Sequence, residues 1–193
     1  MSYVTDRFDD KIIELLKSGA AGFMPSDTIY GLSSRALDEA AVKKLHKIKG
    51  REGNKPFIVL IADLKMLELL SILDAKVELV NKYWPGPLSL VFRAPAAPAW
   101  LTLGGQTLAV RLPDDKALVG LINQTGPIIS TSANKDGQRP MTSAKEAKAE
   151  FGEDLDFYVE TGEINMLPST IAKLENDKLV VTRQGGLKID DTG

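Results

Sequence analysis

Short apolar runs rich in β-branched residues alternate along this chain with segments of helical periodicity, and this alternation limits the folds available to it. The run PFIVLIA (56–62) has no charged residue to present to solvent, which is typical of a strand covered on both faces. AAGFMPSDTIYGL (20–32) predicts a short buried strand broken by Pro25 that leads into a polar turn. Further strands are predicted at LSLVFRA (88–94), TLAVRLP (107–113) and PIISTSA (127–133). Strands that alternate with helices in this way predict an α/β sheet with helices packed against it.

The helical segments are marked by their spacing and by their end signals. Residues 8–18, 37–50, 63–84 with a break near Asp74, 116–124 and 143–151 predict helices. In the second of these, Asp38 is suited to cap the start and Gly50 to end it. STIAKLENDKLVVTRQG (169–185) predicts a hairpin that turns near Asn176 and Asp177. The hairpin makes the predicted fold a twisted, mixed parallel and antiparallel open sheet with flanking helices.

Length and charge narrow the class of protein. A chain of 193 residues predicts a single domain over 1–193, with an ordered core over about 10–188 and a frayed tail at 189–193. The formal net charge of −2 argues against a protein that coats nucleic acid with a whole basic face. The apolar runs are far shorter than the ~20 residues of a membrane helix, and MSYVTDRFDD does not resemble a signal peptide. We therefore expect a cytoplasmic protein without a membrane partner.

Several kinds of chemistry are excluded by what the chain lacks. It has no cysteine and one histidine, His46, so a Ser–His or Cys–His nucleophile system and a zinc site are both disfavoured. Neither a P-loop nor a dinucleotide-binding glycine motif occurs. We predict no metal site built from protein side chains.

Small polar turns at the ends of predicted strands and helices are the remaining candidates for a site. They are PSDT (25–28), KGR (49–51), STSAN (130–134) and TRQGG (182–186). In open α/β sheets, ligands bind beyond the carboxyl ends of strands, so these turns could meet in one crevice. Hydroxyls, an amide and fixed cations in one crevice would suit a nucleoside triphosphate and a small polar substrate.

The charged residues give the sharpest local signals. Lys49 and Arg51 flank Gly50, which lets the backbone turn and bring both cations to one phosphate. Alternatively, Lys49 and Arg51 are solvated cations at the end of a helix, where the helix dipole stabilises positive charge. Arg111 lies inside an apolar strand, where a charge must be paired or bind a ligand. Ser132 and Asn134 are equally compatible with plain turn chemistry.

Seven motifs occur in an order that resembles a known family. PSDTIYGL, KIKGREGNKPFIV, WPGPLSLVF, TLAVRLP, STSANKDGQRPMT, PSTI and VTRQGG together resemble the YrdC-like family, the threonylcarbamoyl-adenylate synthases, over about residues 10–188. The resemblance implies the short, single-domain form of that family, with a concave basic cavity. It implies synthesis of threonylcarbamoyl-AMP and pyrophosphate from L-threonine, bicarbonate or CO2, and ATP. We expect Mg2+ to assist, as it commonly does for ATP. A partner complex would then transfer the threonylcarbamoyl group to adenosine beside the tRNA anticodon.

The resemblance also assigns site residues. The catalytic set that it implies is Lys49, Arg51, Ser132 and Asn134. The threonine contacts that it implies are Ser26, Arg111, Ser132 and Ser169, and Thr28 in the same PSDT turn as Ser26 is a further candidate. The ATP contacts that it implies are Lys49, Arg51, Thr107, Asn134, Thr142 and Arg183. Lys55, just before the PFIVLIA strand, is a further candidate ATP contact at the mouth of the site, or else a surface lysine.

The chain departs from the family pattern at a few positions, and other functions remain open. Glu52 replaces the usual proline after KGR, Ser26 replaces threonine, and Asp136 replaces a small residue. One alternative is a module that binds double-stranded RNA or the ribosome through the same basic surface. Another is a relative that forms a carbamoyl-adenylate from carbamoyl phosphate. A non-synthase paralogue would lose Lys49, Arg51, Ser132 and Asn134, which this chain retains.

Overall fold

The computed structural model describes residues 1–50, 56–73, 78, 81–135 and 137–189. Its strands are β1 Tyr3–Thr5, β2 Gly22–Met24, β3 Gly31–Arg35, β4 Ile58–Leu60, β5 Leu88–Arg93, β6 Thr107–Arg111, β7 Ile128–Ser132, β8 Phe157–Val159, β9 Thr170–Glu175 and β10 Lys178–Arg183. Its helices are α1 Asp10–Lys17, α2 Glu39–Lys49, α3 Met66–Leu69, α4 Ala99–Thr102, α5 Lys116–Thr125 and α6 Ala144–Phe151, the last followed by a 3-10 turn at Gly152–Asp154.

The ten strands within the described residues belong to one open sheet in the order β1-β8-β2-β3-β7-β4-β6-β5-β9-β10. The pairs β1–β8, β2–β8, β4–β6 and β5–β9 are parallel. The pairs β2–β3, β3–β7, β4–β7, β5–β6 and β9–β10 are antiparallel. The predicted mixed open sheet is therefore confirmed.

Helices cover both faces of the sheet, which explains the apolar runs in the central strands. Adjacent residues of β4 face opposite ways: Val59 packs in the cluster with α2, α4 and α6, whereas Leu60 packs in the cluster with α1 and α5. Ile129 and Ile128 of β7 divide in the same way. Alternation along a strand thus supplies two hydrophobic layers from one short segment.

The ends of α2 follow the sequence signals. The Asp38 side chain accepts a hydrogen bond from the backbone N–H of Ala41 at 3.0 Å, and this satisfies a donor that the first turn leaves unpaired. At the other end, Gly50 has a φ of 60°, in the left-handed region that glycine adopts without steric cost. α2 therefore ends at Lys49, whose side chain is buried in the protein interior.

Some elements differ from the sequence predictions. The terminal hairpin is confirmed, with Asn176 and Asp177 at its turn in left-handed conformations of φ 49° and 59°. β1, β3 and β8 have no counterpart among the predicted strands. The helix predicted over 63–84 was too long, because within its described part only α3 is an α-helix. The predicted frayed tail falls largely outside the described residues.

In the described part of the chain, no helix has the length and apolar character needed to cross a bilayer.

Candidate functional site

A cavity of about 130 Å³ gathers side chains from distant parts of the sequence. Its walls come from the turn after β2, the start of β4, the ends of β6, β7 and β10, and the segment that enters β9. The lining residues are Ser26, Thr28, Ile29, Pro56, Phe57, Ile58, Arg111, Ser130, Thr131, Ser132, Pro168, Ser169, Ile171 and Arg183. Hydroxyl groups and guanidinium groups dominate its polar surface.

The cavity lies over one face of the sheet rather than beyond a single edge. β4 is parallel to β6 and antiparallel to β7, so the carboxyl ends of β6 and β7 lie at opposite ends of β4. Arg111 and Ser132 nevertheless line the same space, together with Ile58 between their strands. The sequence predicts that the polar turns meet beyond the carboxyl ends of strands. The mixed sheet instead brings them together across a face.

Lys49 reaches this site from the end of α2. Its side chain is 2% exposed, and its Nζ donates hydrogen bonds to the Ser132 backbone oxygen and to Asn134 Oδ1, both at 2.6 Å. Ser132 Oγ donates to the same Asn134 oxygen at 2.6 Å. The Asn134 amide nitrogen donates in turn to the backbone oxygens of Lys135 and Gln138, which fixes which end of the amide faces Lys49. The three predicted residues Lys49, Ser132 and Asn134 therefore form one network.

Arg111 forms a second charged centre, paired with the turn that follows β2. Its Nη2 lies 2.9 Å from Asp27 Oδ1, and both side chains are 4% exposed. The same nitrogen donates to Ser26 Oγ at 3.3 Å. Burial lowers the pKa of the Arg111 guanidinium, and the Asp27 carboxylate opposes that shift. The charge that the sequence left unexplained in an apolar strand is thus paired and also lines the cavity.

A hydroxyl pair and a second guanidinium complete the wall on the β9 side. Ser169 Oγ lies 2.9 Å from Ser89 Oγ, and both residues are buried. Arg183 Nη2 donates to the Ser169 backbone oxygen at 2.7 Å and lies 3.3 Å from Ser169 Oγ. The terminal hairpin therefore anchors one of the predicted threonine contacts.

The structure brings together part of the predicted site. Ser26, Thr28, Arg111, Ser132, Ser169 and Arg183 line the cavity, and Lys49 and Asn134 contact Ser132. Thr107, at the exposed start of β6, and Thr142, just before α6, do not line it. Arg51, Glu52, Lys55 and Asp136 lie outside the described residues. His46 stacks on Phe57 with ring centroids 4.0 Å apart, which gives it a packing contact.

The sequence identifies Asp27 only as one polar residue of the PSDT turn, without a role of its own, and it does not single out Ser89. Asp27 stands beside Ser26 in PSDT, and a carboxylate near a buried arginine is a signal only once the fold shows that the two meet. Ser89 stands between leucines in β5 and carries no motif of its own. Among the described residues, no group of three or more His, Cys, Asp or Glu side chains is arranged to hold a metal ion.

Comparisons with known proteins agree on one family. The family model Sua5/YciO/YrdC, described as "Telomere recombination", matches residues 14–185. A threonylcarbamoyl-AMP synthase of Pyrococcus abyssi is 34% identical over 91% of this chain and 53% of its own length. A putative threonylcarbamoyl-AMP synthase of Methanocaldococcus jannaschii is 32% identical over 93% of this chain and 88% of its own length.

The fold of this chain also matches a solved structure from the same family. The crystal structure of P. abyssi Sua5 complexed with L-threonine has a TM-score of 0.86 and 33% identity to this chain, and the match covers 96% of this chain and 57% of that one. The chain thus spans about half the length of the P. abyssi relative, but most of the M. jannaschii relative.

Proposed function

The chain belongs to the Sua5/YciO/YrdC family, and on that premise we propose that it is a threonylcarbamoyl-AMP synthase. It would combine L-threonine, bicarbonate or CO2, and ATP, and release threonylcarbamoyl-AMP and pyrophosphate. The curated relatives that carry this name support the proposal, as does the threonine complex of P. abyssi Sua5. We further propose that residues 1–193 act as a single domain.

One observation carries the proposal. A single cavity gathers Ser26, Arg111, Ser132 and Ser169 from four separate segments, and these are the residues that the family resemblance assigns to threonine. We assign the Arg111 guanidinium to the threonine carboxylate, because a planar guanidinium matches a carboxylate with two parallel hydrogen bonds. Thr28 and Ser132 supply hydroxyls close to the bound amino acid.

The chemistry explains why such a site needs no cysteine and no catalytic histidine. The threonine amine and CO2 form a carbamate, and a carbamate oxygen then attacks the α-phosphorus of ATP while pyrophosphate leaves. Two anions must approach each other, so the site has to supply positive charge and alignment rather than a covalent nucleophile. We assign this task to Lys49, Ser132 and Asn134, whose network is already formed.

We propose the ATP contacts on the basis of the family resemblance, and only some of these residues lie at the cavity. Arg183 lines the cavity, and Asn134 contacts Lys49. Thr107 and Thr142 lie away from the cavity wall, so we place them on an outer part of the ATP site. Arg51 and Lys55 are proposed at the phosphates on sequence grounds alone. We propose that Mg2+ arrives bound to the phosphates of ATP, since they supply the oxygen ligands that it prefers.

The product implies a later step. A mixed anhydride of a carbamate and AMP is a group donor, and we propose that a tRNA threonylcarbamoyltransferase complex consumes it to modify adenosine beside the anticodon. Direct contact with tRNA or double-stranded RNA would use the basic residues around the cavity. A role in tRNA modification is consistent with the cytoplasmic location that we propose.

Pyrophosphate release tests the function. Protein, ATP and Mg2+ are mixed with L-threonine and bicarbonate, and each of the last two is omitted in turn. Release that requires both supports the synthase, whereas release that persists without threonine contradicts it. Carbamoyl phosphate in place of both tests the carbamoyl-adenylate alternative. RNA binding that falls steeply with salt, without threonine-dependent release, would favour the RNA-binding module.

A further inference from the structure

The contacts of Arg111 assign a role to Asp27, a residue of the PSDT turn for which neither the sequence nor the family resemblance supplied one. We infer that Asp27 is a positioning residue, whose carboxylate holds the Arg111 guanidinium in the orientation that receives the substrate carboxylate. The inference rests on the proposed function and adds a residue to its amino-acid subsite.

The first support is the geometry of the pair. Asp27 Oδ1 forms an ion pair with Arg111 Nη2 at 2.9 Å but has no hydrogen-bond partner among the described residues, and Ser26 Oγ accepts a hydrogen bond from the same nitrogen at 3.3 Å. Two adjacent residues of one turn thus hold one corner of the guanidinium. An arginine side chain has several rotatable bonds, and contacts at one corner fix the direction in which the rest of the planar group points.

The second support is that Asp27 and Ser26 leave other hydrogen-bond donors of the Arg111 guanidinium uncontacted. Arg111 lines the cavity, and its buried Nε has no hydrogen-bond partner among the described residues. A buried donor without a partner is costly, and a ligand or water that accepts from it removes that cost. Asp27 and Ser26 therefore occupy the Nη2 corner and leave donor capacity for a ligand.

The third support is the way in which Asp27 itself is held. Its other oxygen, Oδ2, accepts a hydrogen bond from the Asp114 backbone N–H at 3.3 Å, in the loop that follows β6. The carboxylate therefore links the turn after β2 to the loop just beyond Arg111. This link fixes the position of the Asp27 carboxylate relative to the loop after β6. The group that contacts Arg111 is therefore itself fixed in place.

The carboxylate also has an opposite effect, which makes the inference testable. A negative charge beside Arg111 weakens its attraction for a second carboxylate. If Asp27 did nothing but neutralise Arg111, its removal would tighten the binding of L-threonine. If Asp27 orients Arg111, its removal weakens that binding in spite of the added positive charge.

The experiment compares L-threonine with L-threoninamide, which keeps the amine, the hydroxyl and the methyl group but lacks the carboxylate. Binding of each is measured by calorimetry on the wild-type chain, on Asp27→Asn and on Asp114→Asn. The Asp114 side chain is exposed, so the last variant makes the same change of charge nearby without touching Arg111. We expect Asp27→Asn to lose about tenfold or more in affinity for L-threonine, to change little for the amide, and Asp114→Asn to resemble wild type.

The remaining outcomes separate the inference from the proposed function. Tighter threonine binding by Asp27→Asn, or an equal loss for threonine and the amide, overturns the positioning role. A wild-type chain that does not prefer threonine to the amide overturns the assignment of Arg111, and with it the amino-acid subsite of the proposed function. Pyrophosphate release by the wild type is measured in parallel, so that failure of the activity is seen separately.

A second pair of variants covers the case in which Asp27→Asn does not fold, because it leaves Arg111 buried without a counter-charge. Arg111→Gln is compared with the double variant Asp27→Asn/Arg111→Gln, which buries neither charge. A lone buried carboxylate in the single variant can take up a proton. Equal threonine affinities in the two variants support action through Arg111. A further loss in the double variant overturns it.

Discussion

The ammonium nitrogen of Lys49 lies 2.6 Å from the side-chain oxygen of Asn134, and this contact joins the end of α2 to the segment that follows β7. The same amide oxygen accepts from Ser132 Oγ, so one acceptor orders both a cation and a hydroxyl. Removal of any member leaves the other two misdirected. The network is therefore the place where a small change should affect turnover most.

Lys49→Met removes the charge and keeps much of the volume of the side chain. Loss of a positioned charge of this kind costs on the order of 2.7–4 kcal/mol in the barrier, so we expect pyrophosphate release to fall ~100-fold or more. Lys47→Met is the matched control, because Lys47 is exposed on the same helix. Near wild-type turnover in Lys49→Met, with the circular dichroism spectrum retained in both variants, would contradict the role of Lys49.

Gly185 permits a close approach of two backbones beside the cavity. A Cβ at this position would lie 2.1 Å from the Pro168 backbone oxygen and 2.4 Å from the Ser169 carbonyl carbon. Gly185→Ala must therefore push the chain away from Ser169, and we expect a higher KM for threonine together with a lower Tm. At Gly186 the nearest atom would be the Leu167 Cβ at 3.4 Å, so Gly186→Ala should change neither quantity appreciably. Equal effects of the two substitutions would exclude this explanation.

Two glycines should respond to alanine with opposite signs in stability. Gly50 has a φ of 60°, so Gly50→Ala places a Cβ in a left-handed conformation and should cost about 1 kcal/mol. Gly120 lies within α5, and its added Cβ would meet nothing within 4 Å. Gly120→Ala should therefore raise the free energy of unfolding by about 0.5–1 kcal/mol. Urea titration measures both changes, and a shared sign would contradict the reasoning.

Ser89 and Ser34 are both buried serines, but only one has a hydroxyl partner. Ser89→Ala removes the group that contacts Ser169 Oγ at 2.9 Å, and we expect threonine binding to weaken about fivefold, since a hydrogen bond contributes about 1 kcal/mol. Ser34 Oγ has no hydrogen-bond partner among the described residues. Ser34→Ala should leave threonine binding unchanged and should not lower Tm, because no compensated polar group is lost. Threonine calorimetry and thermal melts on both variants check this contrast.

The helices and the hairpin could be predicted because their signals are local. Asp38 caps α2 and Gly50 ends it within one continuous segment, and Asn176 and Asp177 turn the hairpin between two adjacent strands. β3 escaped prediction because its sequence, GLSSR, shows no apolar pattern. Ser33 and Ser34 are buried there, since neighbouring strands and packed helices surround them. Burial imposed by tertiary contacts is not encoded in the residue type.

The candidate site shows the same division. Arg111 could be singled out because a charge in an apolar strand requires an explanation, and the structure supplies one in Asp27. The spacing of residues could not show which acidic group would pair with Arg111, because Asp27 and Arg111 are far apart in the chain. Asn134 and Ser132 belonged to a recognisable motif, but their contact with Lys49 depends on how β7 lies between β3 and β4.

The pairing of β5 with β9 has a consequence for how the protein matures during translation. β5 ends at Arg93, and its parallel partner does not begin until Thr170, so a large part of the chain must emerge from the ribosome before the two can meet. Ser169 and Arg183 join the cavity only with that pairing. Contacts between segments so distant in sequence are slow to form. A nascent chain stalled before residue 169 would thus hold most of the sheet but no complete threonine pocket.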